Sequence, residues 1–352
     1  MLTGWCVIDA PYELPDMNSD SSHTLHASSI VIDGTCPLLR RREYVDWYIE
    51  GGVTACCPTV GSTAPAEETL RNLGAWKRFI ASRGDLAQVF TTEDIARGKT
   101  QGRLGLIFHF QGADPIENDL NLIEAYQALG VRMVQLTYNV RNRVGDGCEE
   151  TTDAGLSAFG VDLVRRLNEN RIVVDCSHTG YRTTMDAIER SSRPAVFSHA
   201  NAYGVHPSPR NIRDDQIKAA AGSGGLVGVN GFPAFLGDSP RPTMDRFIEH
   251  LDYMVELAGI DHVALGIDYY EGMHPVASAE EAAAFFRQQL AQRRWSEASY
   301  PPPPHHYPQD METPKTLPNL TARLLARGYS AEDVRKVIGG NWLRVFREVW
   351  GA

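Results

Sequence analysis

No basic run or basic face appears in this chain, and its formal net charge at pH 7 is −10. Binding a polyanion requires clustered Lys and Arg, so the sequence argues against a nucleic-acid partner and against anionic membrane surfaces. No apolar run approaches the roughly 20 residues that span a bilayer as a helix. The opening stretch, MLTGWCVIDAPYELPD, has neither the basic flank nor the long apolar segment of a secretory signal, so a cytoplasmic location is the expectation. The six cysteines (Cys6, Cys36, Cys56, Cys57, Cys148 and Cys176) form no Cys-x-x-Cys pair, and buried reduced thiols are expected rather than a disulfide framework or a zinc knuckle. A Gly-rich phosphate loop is also missing after the first apolar run. That argues against a doubly wound nucleotide-binding sheet, the main alternative for an α/β chain of this length.

What is present is a chain of 352 residues, 43% hydrophobic and 22% charged, which suits a globular protein with a sizeable core. Short Val- and Ile-rich runs alternate with longer helical patterns. Strands are expected at 30–34, 53–59, 104–111, 133–138, 172–178, 195–199, 226–230 and 263–268. Runs with so few polar interruptions read as strands of a parallel sheet buried on both faces. Between them, APAEETLRNLGAWKRFIASR and TMDRFIEHLDYMVELAGI carry apolar residues at helical spacing. DLNLIEAYQALG and DAGLSAFGVDLVRRLNEN each open on an Asp that could cap a helix. Eight such repeats without a break in composition predict a single-domain (β/α)8 barrel over residues 28–352. Residues 1–27 are read as a polar lead-in. Residues 271–318, which include the Pro-rich SYPPPPHHYPQDMETP, are read as an insertion after the eighth strand that overhangs the catalytic face.

Barrel chemistry is built where strands end. The ends offer Asp33-Gly34-Thr35, Thr59, His109 and Gln111, Tyr138 and Asn139, His178, His199, Asn230 and Asp268. Histidines closing two consecutive strands can hold one divalent metal, and a carboxylate across the barrel can take a proton from water at that metal. His109 lies on the same face as Gln111 and is assigned to a deeper layer. His305 and His306, in the Pro-rich stretch, are assigned to the surface, and Cys36 is read as an inert buried thiol.

Four stretches, IVVDCSHTG, FSHANAYGVHPSPRNIRDDQI, DHVALGIDYYEG and LPNLTARLLARGYSAEDVRKVIGGNWLRVF, together resemble the membrane (renal) dipeptidase family of the amidohydrolase superfamily. The resemblance implies a (β/α)8 metallopeptidase with two zinc ions. It implies that His178 and His199 are metal ligands, that Asp268 shuttles the proton of the attacking water, and that Arg210 binds the substrate's terminal carboxylate. Asn230 is placed beside Arg210 as a substrate-binding group. The chain departs from the family where the first ion would sit. The family's Asp-Gly-His-Asn-Asp motif is here Asp33-Gly34-Thr35-Cys36-Pro37, and its bridging glutamate is Gln111. Proline has no side-chain donor, a threonine hydroxyl is a poor zinc ligand, and a neutral amide cannot offset the repulsion of two dications. Tyr138 replaces the family's oxyanion-contacting histidine and can still donate a hydrogen bond.

The expectation is therefore a hydrolase of a small amide or dipeptide-like substrate carrying a carboxylate. It would use one divalent metal, zinc, on His178, His199 and Gln111, with Asp268 and Tyr138 as catalytic groups. A metal-independent lyase or isomerase, or a small-acid-binding homologue on the same scaffold, is the alternative. A homodimer is expected from the resemblance alone.

Overall fold

The computed structural model describes residues 19–351. Ten strands lie in one all-parallel sheet: β1 (Ile32–Cys36), β2 (Ala55–Gly61), β3 (Leu86–Gln88), β4 (Leu104–Leu106), β5 (Phe108–Phe110), β6 (Val131–Gln135), β7 (Val173–Asp175), β8 (Ala195–Ala200), β9 (Val227–Val229) and β10 (Val263–Leu265). Neighbours run β10-β9-β8-β7-β6-β5-β2, with β1 also paired to β2, and helices separate most of the strands. This is the expected (β/α)8 barrel. The run expected at 104–111 is split into β4 and β5 at Ile107, and β3 pairs with β4 at the edge. No reading of the sequence placed β3, because LAQ is only three residues long and carries no β-branched side chain.

Two apolar layers surround the strands. Ile32, Cys57, Ile107, Met133, Val173, Val196, Leu226 and Ala264 point inward and pack against Trp342, Val345, Phe346 and Val349 of the C-terminal helix Asn341–Trp350. That helix therefore closes the end of the barrel opposite the strand C-termini. Its Trp342 is fully buried, donates its indole N–H to the Leu265 carbonyl at 2.8 Å, and packs so close to Gly34 that a Cβ there would overlap the ring. The seam between β1 and β10 is closed by a side chain: Asp33 Oδ1 accepts the Ile267 N–H at 2.9 Å, and the Leu38 N–H reaches the Tyr269 carbonyl at 2.7 Å.

The helical readings hold at Ala66–Ala81 and Met244–Ala258, and Gly130, in the left-handed region, ends Leu122–Leu129. The Asp caps do not hold. Asn121 precedes Leu122–Leu129 without a side-chain cap, and Ser157 caps Ala158–Glu169. Asp153 instead accepts hydrogen bonds from Gly155 N and Thr183 Oγ1, because Gly155 at φ 90° turns the chain before the helix begins. In the lead-in, residues 1–18 lie outside the described residues and Ser19–Ser28 is helical.

The insertion is folded onto the barrel mouth. It contributes the helix Ala279–Ala291 and buries Trp295, Tyr300, His305 and Tyr307. His305 is thus not a surface residue: it is 2% exposed, donates from Nε2 to the Pro301 carbonyl and accepts the Tyr270 hydroxyl at Nδ1. Only His306 stays half-buried, against the ring of His274. Among the described residues no helix is long and apolar enough to cross a membrane.

Replacing Trp342 with Ala empties the base of the barrel and should cost about 3–5 kcal/mol. Urea unfolding followed by circular dichroism measures this, and a loss below about 1 kcal/mol would show that Trp342 does not hold the barrel closed.

Candidate active site

The strands converge at their C-terminal ends on a buried polar cluster that begins with Asp175, the last residue of β7. Its Oδ1 accepts the backbone N–H groups of Ser177 and Ser198, at 3.0 and 2.9 Å. Its Oδ2 accepts the Ser198 hydroxyl at 2.6 Å and His109 Nε2 at 3.1 Å. Burial alone would raise the pKa of this carboxyl. The hydrogen bonds and neighbouring imidazoles outweigh it and hold the pKa at about 2, so Asp175 is an anion. His109 is fully buried beneath the site, in the deeper layer expected for it.

Because Ser198 gives its proton to Asp175, its oxygen is left to accept, and it lies 2.7 Å from His199 Nδ1. His199 Nδ1 therefore carries the hydrogen. A parallel constraint acts on His178. Asn139 donates its Nδ2 to the Arg294 carbonyl at 2.8 Å, which turns its Oδ1 toward His178 Nδ1 at 2.6 Å. Burial, then the charge of Arg210, drives the pKa of both imidazoles well below the usual value, so both are neutral. Each has its only proton on Nδ1. The two Nε2 atoms face each other at 2.8 Å with lone pairs on both sides and no hydrogen between them.

Around this pair stand the other expected residues. Gln111 Nε2 is 3.4 Å from His199 Nε2, and its Oε1 accepts the Thr59 hydroxyl at 3.4 Å. Asp268 Oδ2 lies 4.0 Å from His199 Nε2 and accepts Asn230 Nδ2 at 3.3 Å. Burial lifts its pKa to about 7, against the lowering effects of Arg210 and Asn230. Asn230 is thus tied to Asp268 and, through Oδ1, to the Phe232 N–H at 2.6 Å. Its amide therefore positions the Asp268 carboxylate, with the second Nδ2 hydrogen left over. Tyr138 stacks on His178 at 4.3 Å and accepts the Trp295 indole N–H at 3.1 Å, which leaves its own O–H free to donate.

Arg210 is 3% exposed, lies over the Phe235 ring at 5.0 Å and donates Nε to the Tyr300 hydroxyl at 3.1 Å. Its Nη2 has no partner. A buried guanidinium nitrogen without an acceptor is the feature expected where a ligand's carboxylate docks. Asp214, which could have tied Arg210 into a surface loop, accepts the Tyr253 hydroxyl instead. At β1, Thr35 is buried with its hydroxyl unpartnered, and Pro37 opens a turn of 3-10 helix. Cys36 is buried, its thiol pKa pushed well up by burial, and its Sγ donates to the Asp33 carbonyl at 3.7 Å. Among the described residues no three His, Cys, Asp or Glu side chains gather closely enough to form a metal cluster by themselves.

Four residues of this site carry no role in the sequence reading: Asp175, Ser198, Trp295 and Tyr300. Asp175 had a visible signal, a carboxylate closing the otherwise apolar IVVD. The insertion's two aromatic residues had none, because nothing in a Pro-rich stretch specifies which side chains turn inward.

Comparison with known proteins gives the chain a family and its fold. The model of the family described as membrane dipeptidase (peptidase family M19) matches residues 50–300 and 304–351. An uncharacterized protein in the pqqA 5′ region of Klebsiella pneumoniae is 30% identical over 297 residues, covering 81% of this chain and 97% of that protein. The dipeptidase tcpJ of Claviceps purpurea is 27% identical over 290 residues, and there the match spans 61% of the relative. The crystal structure of an amidohydrolase from Pseudomonas aeruginosa is similar with a TM-score of 0.87 and 35% identity, over 94% of this chain and 99% of that one. A Rhodobacter sphaeroides metallo peptidase, liganded with a phosphinate mimic of the dipeptide L-Ala-D-Ala, shares the fold at a TM-score of 0.75 and 23% identity, over 92% of this chain and 100% of that one. The chain belongs to the membrane dipeptidase family, peptidase family M19, a class of peptide-bond hydrolases.

Proposed function

We propose that this protein is a metal-dependent hydrolase of a small amide or dipeptide-like substrate bearing a carboxylate, working with a mononuclear site. The reading rests on the unprotonated, convergent Nε2 atoms of His178 and His199, whose tautomers are fixed by Asn139 and Ser198. Two lone pairs held face to face repel each other, and a cation between them relieves that repulsion. Oriented neutral imidazoles backed by hydrogen-bond acceptors are the usual environment of zinc-ligating histidines. Gln111 becomes the third donor when its amide turns to exchange the Nε2 now beside His199 for Oε1, which accepts the Thr59 hydroxyl. The donors favour one ion over two: Thr35, Pro37 and Gln111 supply no anionic ligand for a second, and among the described residues no three His, Cys, Asp or Glu side chains gather to hold one.

A zinc ion held by His178, His199 and Gln111 would supply Lewis acidity, bringing the pKa of water toward neutrality. The chain's own groups do the rest. Asp268, held by Asn230 and with a pKa near 7, takes the proton of the attacking water and returns it to the leaving amine. Arg210 offers Nη2 to the substrate carboxylate and fixes its orientation through Tyr300 and Phe235. Tyr138 keeps its O–H for the developing oxyanion, because Trp295 already occupies its acceptor side. The insertion covers these groups and restricts water in the pocket.

Protein purified without chelator should carry about one divalent metal per chain by elemental analysis, and His178→Ala should carry none. Two metals per chain, or a metal-free protein that hydrolyses dipeptides, would overturn the mononuclear reading. Asp175→Asn should weaken metal affinity about 10- to 100-fold in chelator competition, as outer-shell losses do; unchanged affinity would mean that Asp175 does not orient His199. Asp268→Asn should keep its metal and lose about 10²- to 10⁴-fold in kcat on N-acyl amino acids or dipeptides. Wild-type turnover in that variant would remove Asp268 from the chemistry.

A further inference from the structure

We infer that the cavity beside the two histidines is a second anion subsite, so that the acyl part of the preferred substrate is itself acidic. The inference rests on the hydrolase reading above and adds the substrate class. The cavity has a volume of about 480 Å³ and is lined by Arg40, Thr59, Ser62, Tyr138 and Arg294 among others. It opens on the reaction centre: Thr59 donates to Gln111, and Tyr138 stacks on His178.

Arg210 does not line this cavity, so the two anion sites are separate. A substrate whose terminal carboxylate sits on Arg210 and whose scissile bond lies at the histidines directs its acyl portion past Tyr138 into this space. There it meets two guanidiniums. Arg40 is paired with Glu271 at 3.1 Å, whereas Arg294 has no carboxylate at salt-bridge distance among the described residues. Its charge acts on the half-buried Asp114, whose carboxyl pKa burial raises and Arg294 helps to hold down. The one carboxylate lining the cavity is Glu68, exposed at its rim. Arg294 is also placed with care. Its backbone carbonyl accepts Asn139 Nδ2 at 2.8 Å, and Asn139 is the residue that orients His178. An added carboxylate on the acyl portion gains a charge-assisted hydrogen bond from Arg294, which a free N-terminal amine does not.

The test uses the metal-loaded full chain and neutral isosteres. The kcat/KM for Glu-Ala over Gln-Ala, and for N-succinylglycine over N-butyrylglycine, should be about 10- to 100-fold, the range that one hydrogen bond to a charged group contributes. Both ratios should shrink toward one in Arg294→Gln and with added salt. Ratios near or below one in the wild-type protein would overturn the subsite, even with neutral dipeptides well hydrolysed. If no such compound is cleaved, the hydrolase reading fails by itself, and calorimetric binding of N-succinylglycine against N-butyrylglycine still decides the subsite. Tighter binding of the dicarboxylate, lost in Arg294→Gln, supports it, and equal binding overturns it.

Discussion

The site depends on one buried anion. Asp175 accepts four hydrogen bonds from three parts of the barrel: His109 in β5, the turn after β7, and Ser198 in β8. An isolated carboxylate in such a place would take up a proton. Four donors keep it charged, and that charge is transmitted outward. It fixes the Ser198 proton, which fixes the His199 tautomer, which leaves Nε2 bare toward the pocket. The chemistry at the mouth is thus set one layer down, where solvent does not reach.

Backbone conformation shows the same over-determination. Asn139, His178 and Asp268 have φ of 60°, 60° and 64°. Such left-handed conformations cost non-glycine residues free energy, of order 1–3 kcal/mol where the region is sparsely populated, and they persist when surrounding contacts impose them. Here the contacts are identifiable. Asn139 is held by Arg294 and Tyr300, His178 receives the Cys148 N–H on its carbonyl, and Tyr307 donates to the Asp268 carbonyl. Several of these residues come from the insertion, which therefore acts as a clamp on strand ends that would otherwise relax.

How far the sequence discloses this differs by layer. The barrel was legible because strands buried on both faces must be apolar throughout, and the helices between them keep a 3.6-residue period. His178, His199 and Asp268 were legible because polar residues closing apolar runs stand out, and the quoted family stretches contain them. Asn230 was visible in the same way, but its bond to Asp268 was not, since that depends on β9 and β10 lying side by side. His305 was misplaced because Pro-rich composition describes the backbone and not which side chains fold inward. Trp295 and Tyr300 belong to the same failure: their stacking at 4.3 Å is a tertiary fact with no local signature.

The substitutions at β1 and β5 make sense as a matter of charge. Relative to the family motif, Pro37 and Gln111 each stand where a carboxylate is expected, and Thr35 where an imidazole is. Removing two carboxylates alone would leave Arg210 and two dications in a buried pocket, with electrostatic repulsion that Asp268 could not offset. On the mononuclear reading proposed above, losing one dication together with two carboxylates would leave the formal charge of the pocket unchanged. Arg210, Asp268 and the two histidines then keep the electrostatic surroundings in which their pKa values suit their roles. Single reversions do not restore a second ion: a carboxylate at 111 without a ligand at 35 or 37 adds a buried negative charge beside Asp268 and raises its pKa further. On that reading the three positions are coupled, and their residues form one self-consistent set.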